Sequence, residues 1–123
     1  MDFDAARPIY LQIIELHKRA LMTGKLKSGD QILSQRNFAE QYKVNPNTVQ
    51  RAYREMEALG LVETLRGQGT FVTVTKKQLR TMKDETANHA LHSFICEMKT
   101  LGFTLAEVLT QVQETWEKEA SKR

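Results

Sequence analysis

The chain has 123 residues, a single-domain length, with 41% hydrophobic and 27% charged residues, the balance of a globular protein. No apolar run approaches the roughly 18–20 residues that span a bilayer, and the acidic start Met1-Asp2-Phe3-Asp4 excludes a secretory signal. The net charge of +3 divides into +2 over residues 1–75 and +1 over residues 76–123, which permits a nucleic-acid partner without requiring one.

Pro8 to Thr23 reads as a first helix, with Ile9, Ile13, Leu16, Ala20 and Leu21 at helical spacing, Pro8 in the first turn and Gly24 beyond its end. Gly29-Asp30 marks a turn. Ser34 is a good N-cap for a second helix, Gln35 to Tyr42, with Phe38, Ala39 and Tyr42 facing inward. Asn45 caps a third helix that has Pro46 at its first position and Val49, Ala52, Tyr53, Met56 and Leu59 on one face, and Gly60 ends it. Only Lys43 to Asn45 separate the second and third helices, so the pair is a helix-turn-helix candidate.

The period then changes. Leu61 to Leu65 and Thr70 to Thr75 suit strands, and Arg66-Gly67-Gln68-Gly69 between them is a hairpin turn. Three helices followed by a β-hairpin make a winged helix. After Lys76 the helical period returns. Leu79, Met82, Ala87, Ala90, Leu91, Phe94, Ile95, Met98 and Leu101 form a stripe, and Gly102 breaks it. Thr104 and Glu107 form a capping box, and Phe103 can staple onto Val108. The last helix presents Leu105, Val108, Leu109, Val112 and Trp116, so these two helices are expected as an antiparallel pair with a tight link. The expected architecture is mainly α with a small β-hairpin: a winged helix-turn-helix over residues 1–75, then a two-helix tail over 76–123.

A helix-turn-helix puts the N-terminal end of its second helix into the DNA major groove. Pro46, Asn47 and Thr48 occupy that end here, with Gln50 and Arg51 in the next turn. Asn and Gln pair bidentately with adenine, Thr reaches a base or a phosphate, and the backbone N–H groups suit phosphate. The plainer reading of Asn45-Pro46-Asn47-Thr48 is capping alone. Arg36 sits in the first turn of the second helix, where the dipole disfavours a cation, so a phosphate or guanine partner explains its placement. Arg66 at the hairpin tip can enter the minor groove, and otherwise the hairpin is only a loop. His89, His92 and Cys96 share one helix face, which admits metal ligation, a redox sensor or simply a solvated surface opposite the apolar stripe. No histidine stands in a recognisable catalytic pattern, so neither an enzyme nor a cofactor or metal site is expected. The single cysteine cannot form an intrachain disulfide, and the cytoplasm is the expected compartment, with no membrane partner.

Gly29-Asp30-Gln31-Ile32-Leu33-Ser34-Gln35-Arg36, Val44-Asn45-Pro46-Asn47-Thr48-Val49, Arg51-Ala52-Tyr53, Gly60-Leu61-Val62 and Gly67-Gln68-Gly69-Thr70-Phe71-Val72 resemble, in order and spacing, the DNA-binding domain of GntR-family bacterial transcription regulators. The opening Pro8-Ile9-Tyr10-Leu11-Gln12-Ile13 is similar to that family's first helix, and the short helical tail resembles the YtrA-type branch. The resemblance implies a homodimeric repressor that binds double-stranded DNA at a palindromic operator. It carries DNA contact over to Arg36, Asn47, Thr48, Gln50, Arg66 and Gly67, and the full expected contact set adds their neighbours Ser34, Gln35, Pro46, Arg51 and Gln68. The apolar stripes of the tail supply the expected dimerisation face, Leu91, Phe94, Ile95, Met98, Leu105, Val108, Leu109, Val112 and Trp116. An unknown small-molecule effector is compatible with this reading and has no assignable site. Leu33 stands where the family usually has proline, Gln35 where glutamate is common, and Lys43 where glycine is frequent, so a strained turn is expected at Lys43. The alternative from another class is a winged helix serving as a protein-interaction module.

Overall fold

The computed structural model describes residues 3–121, so Met1 and Asp2 of the acidic start, and Lys122 and Arg123 of the tail, lie outside the described residues. The elements in order are α1 (Ile9–Met22), β1 (Gln31–Ile32), α2 (Gln35–Tyr42), α3 (Pro46–Ala58), β2 (Val62–Leu65), β3 (Gly69–Val72), α4 (Lys76–Thr100) and α5 (Leu105–Ser121). The chain divides into two compact units, Met1–Lys83 and Asp84–Arg123, and the division falls inside α4. The fold is mainly α with a small β wing, as expected.

In the first unit α1 and α2 both pack against α3, because each offers α3 one apolar face. Ile13, Val49, Ala52, Tyr53 and Met56 are fully buried, and Phe38, Leu21 and Val72 nearly so. The buried side of α1 also carries Gln12 and His17, two polar residues outside the expected apolar set. Gln12 tolerates burial because its amide is satisfied: Nε2 donates to the Asp4 and Arg7 carbonyls (2.6 and 3.1 Å) and Oε1 accepts the Asp4 N–H (2.8 Å). His17 Nδ1 lies 2.8 Å from the Ile13 carbonyl, and its ring packs on Phe38 and Tyr53 with centroids 5.7 and 5.8 Å apart. Burial pushes the His17 pKa down, against a smaller raising effect of the Ile13 hydrogen bond. The ring is therefore a neutral core side chain.

The caps explain where the helices start. Pro8 is the N-cap of α1 rather than a residue of its first turn, with φ −56° and ψ 127°. Ser34 Oγ accepts the Asn37 N–H (3.1 Å), and Asn45 Oδ1 accepts the Asn47 N–H (2.8 Å). Leu59, expected on the inward face of α3, is 51% exposed, because the helix ends at Ala58 and leaves Leu59 as its C-cap. A cap absent from the sequence reading starts α4: the Thr75 N–H donates to Gln78 Oε1 (2.8 Å) and the Gln78 N–H to Thr75 Oγ1 (3.1 Å). The first turns of α4 then lay Leu79 and Met82 against the core.

The wing is a three-stranded antiparallel sheet in the order β1-β3-β2. The hairpin is confirmed with tighter bounds than expected, pairing Val62 with Val72 through Leu65 with Gly69. The third strand, β1, pairs Gln31 with Phe71 and Ile32 with Thr70. Two residues are too short to show a period, which is why β1 was not expected.

In the second unit the capping box is present, with the Thr104 N–H donating to Glu107 Oε1 (3.0 Å) and the Glu107 N–H to Thr104 Oγ1 (3.2 Å). Those hydrogen bonds hold the Glu107 carboxyl below the usual range. The expected tight link is present, with four residues between Thr100 and Leu105, but the two helices do not close on each other. The α4 and α5 backbones do not run together at packing distance, and among the described residues neither helix has a buried side chain. They line an open apolar groove of about 740 Å³ that includes Phe94, Met98, Val112 and Trp116. Both helices carry large apolar side chains, and most of these stay exposed.

Candidate nucleic-acid interface

The site is assembled around the start of α2. Tyr53, buried in the middle of α3, donates its hydroxyl to the Leu33 carbonyl at 2.6 Å. Burial pushes its phenol pKa upward, so the donor stays protonated. This bond ties α3 to the residue just before the Ser34 cap, and so fixes where α2 begins. Arg36 follows, with a side chain 88% exposed and Nε donating to Glu40 Oε1 at 3.3 Å. An exposed i,i+4 pair of this kind is worth about 0.3–0.5 kcal/mol, weak enough to exchange for a phosphate.

The turn between α2 and α3 runs through Lys43, the one non-glycine residue with positive φ among the described residues, at φ 55° and ψ 50°. This matches the strain expected of a lysine in place of glycine. Its N–H still caps the Ala39 carbonyl, and the turn delivers Asn45, Pro46 and the exposed Asn47 to the start of α3.

On the other side of Arg36 stands the wing tip. The Gln68 N–H donates to the Leu65 carbonyl (2.9 Å), closing the turn with Arg66, Gly67 and Gln68 all exposed. Gln31 of β1 holds this turn, since its Nε2 donates to the Gln68 carbonyl at 3.3 Å. Gly69 has φ 128°, a conformation that L side chains rarely adopt, and a Cβ there would also push aside the Gln31 amide that holds the turn. Below the tip the Thr64 and Thr70 hydroxyls pair across the strands at 3.0 Å, and Thr64 also donates to the Glu57 carboxylate of α3.

Two adjoining hollows join these parts. One, of about 640 Å³, lies between α2 and α3 and is lined by Gln35, Arg36, Pro46, Asn47 and Gln50. The other, of about 520 Å³, lies between the start of α2 and the wing and is lined by Ser34, Gln35, Arg36, Arg66, Gly67 and Gln68. Gln35 and Arg36 line both, so nine of the eleven expected residues form one continuous surface. Thr48 and Arg51 line neither hollow. Thr48 is half-buried. The Arg51 guanidinium lies 3.7 Å over the Tyr10 ring of α1 and 4.0 Å from the Glu55 carboxylate. Nothing in the sequence of α3 could reveal that partner on α1, nor the Tyr53 and Gln31 tethers.

Of the expected dimerisation residues, Met98 and Val108 are half-buried and the rest exposed, from 37% at Phe94 to 75% at Trp116. On the opposite face of α4, Cys96 Sγ lies 3.6 Å from His92 Nε2. Among the described residues no group of three or more His, Cys, Asp or Glu is placed to hold a metal ion. No helix among them is long and apolar enough to cross a membrane.

A helix-turn-helix whose second helix starts in a polar, exposed turn beside a β wing with an exposed arginine at its tip defines a winged-helix DNA-binding protein. The chain belongs to the gntR family of bacterial regulatory proteins, whose profile matches residues 9–72. It is 44% identical over 112 residues to the uncharacterised HTH-type transcriptional regulator YhcF of Bacillus subtilis, covering 91% of this chain and 93% of that one. It is 43% identical over 77 residues to the HTH-type transcriptional repressor YtrA of the same organism, covering 63% and 59%. A GntR family transcriptional regulator from Listeria monocytogenes has the same fold, with a TM-score of 0.82 at 35% identity over 91% of this chain and 98% of that one. The DNA-binding domain of AraR, solved in complex with operator ORX1, matches 54% of this chain and 80% of its own length at 27% identity and a TM-score of 0.51. The chain is thus a DNA-binding transcription regulator of the YtrA-like kind, and its relatives are regulators rather than enzymes.

Proposed function

We propose that the chain is a homodimeric repressor that reads an inverted-repeat operator, with residues 1–75 reading DNA and residues 76–123 joining the protomers. The observation that carries the reading is the continuous surface on which Arg36 links the start of α3 to the wing tip. Asn47 and Gln50 read base edges in the major groove, with Thr48 beside them. Arg36 and the Ser34-Gln35 turn hold the backbone, and Arg66 with Gly67 and Gln68 reaches the neighbouring minor groove. Arg51 serves the surface by anchoring α3 to α1 through Tyr10. The repressor role is supported by the name of the YtrA relative, and operator binding by the AraR complex.

The second protomer is the occupant of the groove between α4 and α5. Eight large apolar side chains of these helices, Leu91, Phe94, Ile95, Leu101, Leu105, Leu109, Val112 and Trp116, are at least 37% exposed. Monomeric proteins rarely leave so large an apolar face uncovered. A self-complementary contact of two such faces suits the two-fold symmetry of a palindromic site.

The test begins with selection of genomic fragments by the purified protein, followed by titration against a recovered site and its point variants. Asn47→Ala is expected to flatten preference at one position of each half-site, costing about 1–3 kcal/mol there. Arg36→Ala is expected to weaken all variants evenly and to reduce the salt slope by about one. Wild-type affinity in both variants would remove this surface from DNA reading.

A further inference from the structure

The three arginines of α2 and α3 are engaged very differently. Arg36 is paired with Glu40 at 3.3 Å. Arg51 is stacked 3.7 Å over Tyr10 and faces Glu55. Arg54 is exposed, and no hydrogen bond, ion pair or ring contact engages it among the described residues.

Its position on α3 is specific. At about 100° per residue, seven residues turn the helix through nearly two full turns, so Arg54 projects within about 20° of Asn47. The opposite side of the helix is the one that buries Val49, Ala52, Tyr53 and Met56. Arg54 therefore shares the outward face with Asn47, and it stands about 10.5 Å further up the axis at 1.5 Å per residue. The major groove is about 8.5 Å deep. A helix that enters N-terminus first and sets Asn47 against base edges thus carries Arg54 to the level of the sugar-phosphate strands. A long side chain there reaches phosphate, and a free guanidinium binds it without breaking any intramolecular pair.

We infer that Arg54 is a phosphate contact at the rim of the major groove, and that it supplies the cationic grip on α3 that the sequence pattern assigns to Arg51. This rests on the DNA reading proposed above and adds a residue to it. Arg54 fixes depth and register and carries no base information.

The experiment titrates the full-length wild type, Arg54→Ala, Arg54→Gln and Arg54→Lys against a selected duplex, its point variants and a scrambled duplex, between 50 and 200 mM salt. Arg54→Ala and Arg54→Gln are expected to weaken every duplex by a similar factor and to lower the slope of log affinity against log salt by about 0.9. The ratio of wild-type to Arg54→Ala affinity then falls about 3.5-fold over that fourfold salt range. Arg54→Lys is expected to keep the wild-type slope. Thermal unfolding stays unchanged in all three, since nothing in the fold leans on this side chain. Wild-type affinity and slope in Arg54→Ala and Arg54→Gln would overturn the inference while leaving the proposed function standing. Lost discrimination among point variants at an unchanged slope would make Arg54 a base reader and also overturn it. A wild type without salt-dependent duplex binding would overturn the proposed function and this inference together.

Discussion

Removing one oxygen from the core tests how the fold positions the reading surface. In Tyr53→Phe the ring keeps its contacts with Phe38 and His17, at 6.1 and 5.8 Å between centroids, so no cavity opens. What disappears is the 2.6 Å hydrogen bond to the Leu33 carbonyl. Losing such a bond and leaving its acceptor unpaired costs about 1–3 kcal/mol. The bond is only part-buried, so the cost belongs at the low end, about 1 kcal/mol. For a unit of this size that lowers the melting temperature by about 4–8 °C. A freed Leu33 also loosens the Ser34 cap and Arg36, so operator affinity falls while preference at the Asn47 position is retained. Thermal unfolding followed by circular dichroism, at fixed protomer concentration, reads the first effect, and duplex titration well below the melting temperature reads the second. An unchanged melting temperature would refute the tether as a stabilising element. A lowered one with wild-type DNA affinity would refute its role in placing Arg36.

Two further outcomes follow from single residues. Lys43→Gly is expected to stabilise the chain by about 0.5–1 kcal/mol, since a left-handed conformation costs an L-residue about 1–2 kcal/mol and glycine gives back part of that in entropy. A urea midpoint that rises with an unchanged slope would confirm it, and a lower midpoint would contradict it. For His17, burial holds the folded pKa below the unfolded value of about 6.5, so below that pH the unfolded chain binds a proton that the folded chain refuses. Stability is expected to fall as pH drops from about 6.5 towards the folded pKa, by at most about 1.4 kcal/mol per pH unit, and then to level off. A His17→Gln variant that keeps the full wild-type slope in urea titrations at stepped pH would assign it to other groups.

The parts of the fold that were legible in the sequence are those decided within a turn or two of chain. Ser34, Asn45 with Pro46, and Thr104 with Glu107 announce their helices because a cap needs only neighbours three residues away. Thr75 and Gln78 carried the same signal at the start of α4. What stayed hidden depends on partners far along the chain. Gln12 and His17 lie outside the apolar spacing of α1, and their burial depends on the Asp4 segment and the Phe38–Tyr53 pair closing over them. β1 exists only because β3 lies beside it. Arg51 and Arg54 are indistinguishable by spacing on an outward helix face, and only Tyr10 of α1 separates them. The splay of α4 and α5 is hidden for a similar reason, because an apolar stripe specifies burial and not which chain provides it.

The central claim is that two copies of this surface, related by a two-fold axis, read two half-sites on one side of the duplex. The most direct measurement is the affinity of the full-length protein for its selected site after insertions between the half-sites. Inserting about five base pairs turns one half-site to the far side of the duplex, whereas about ten restores its direction. The account predicts that the half-turn insertion weakens binding more than the full-turn insertion does. Equal binding to both spacings would contradict it.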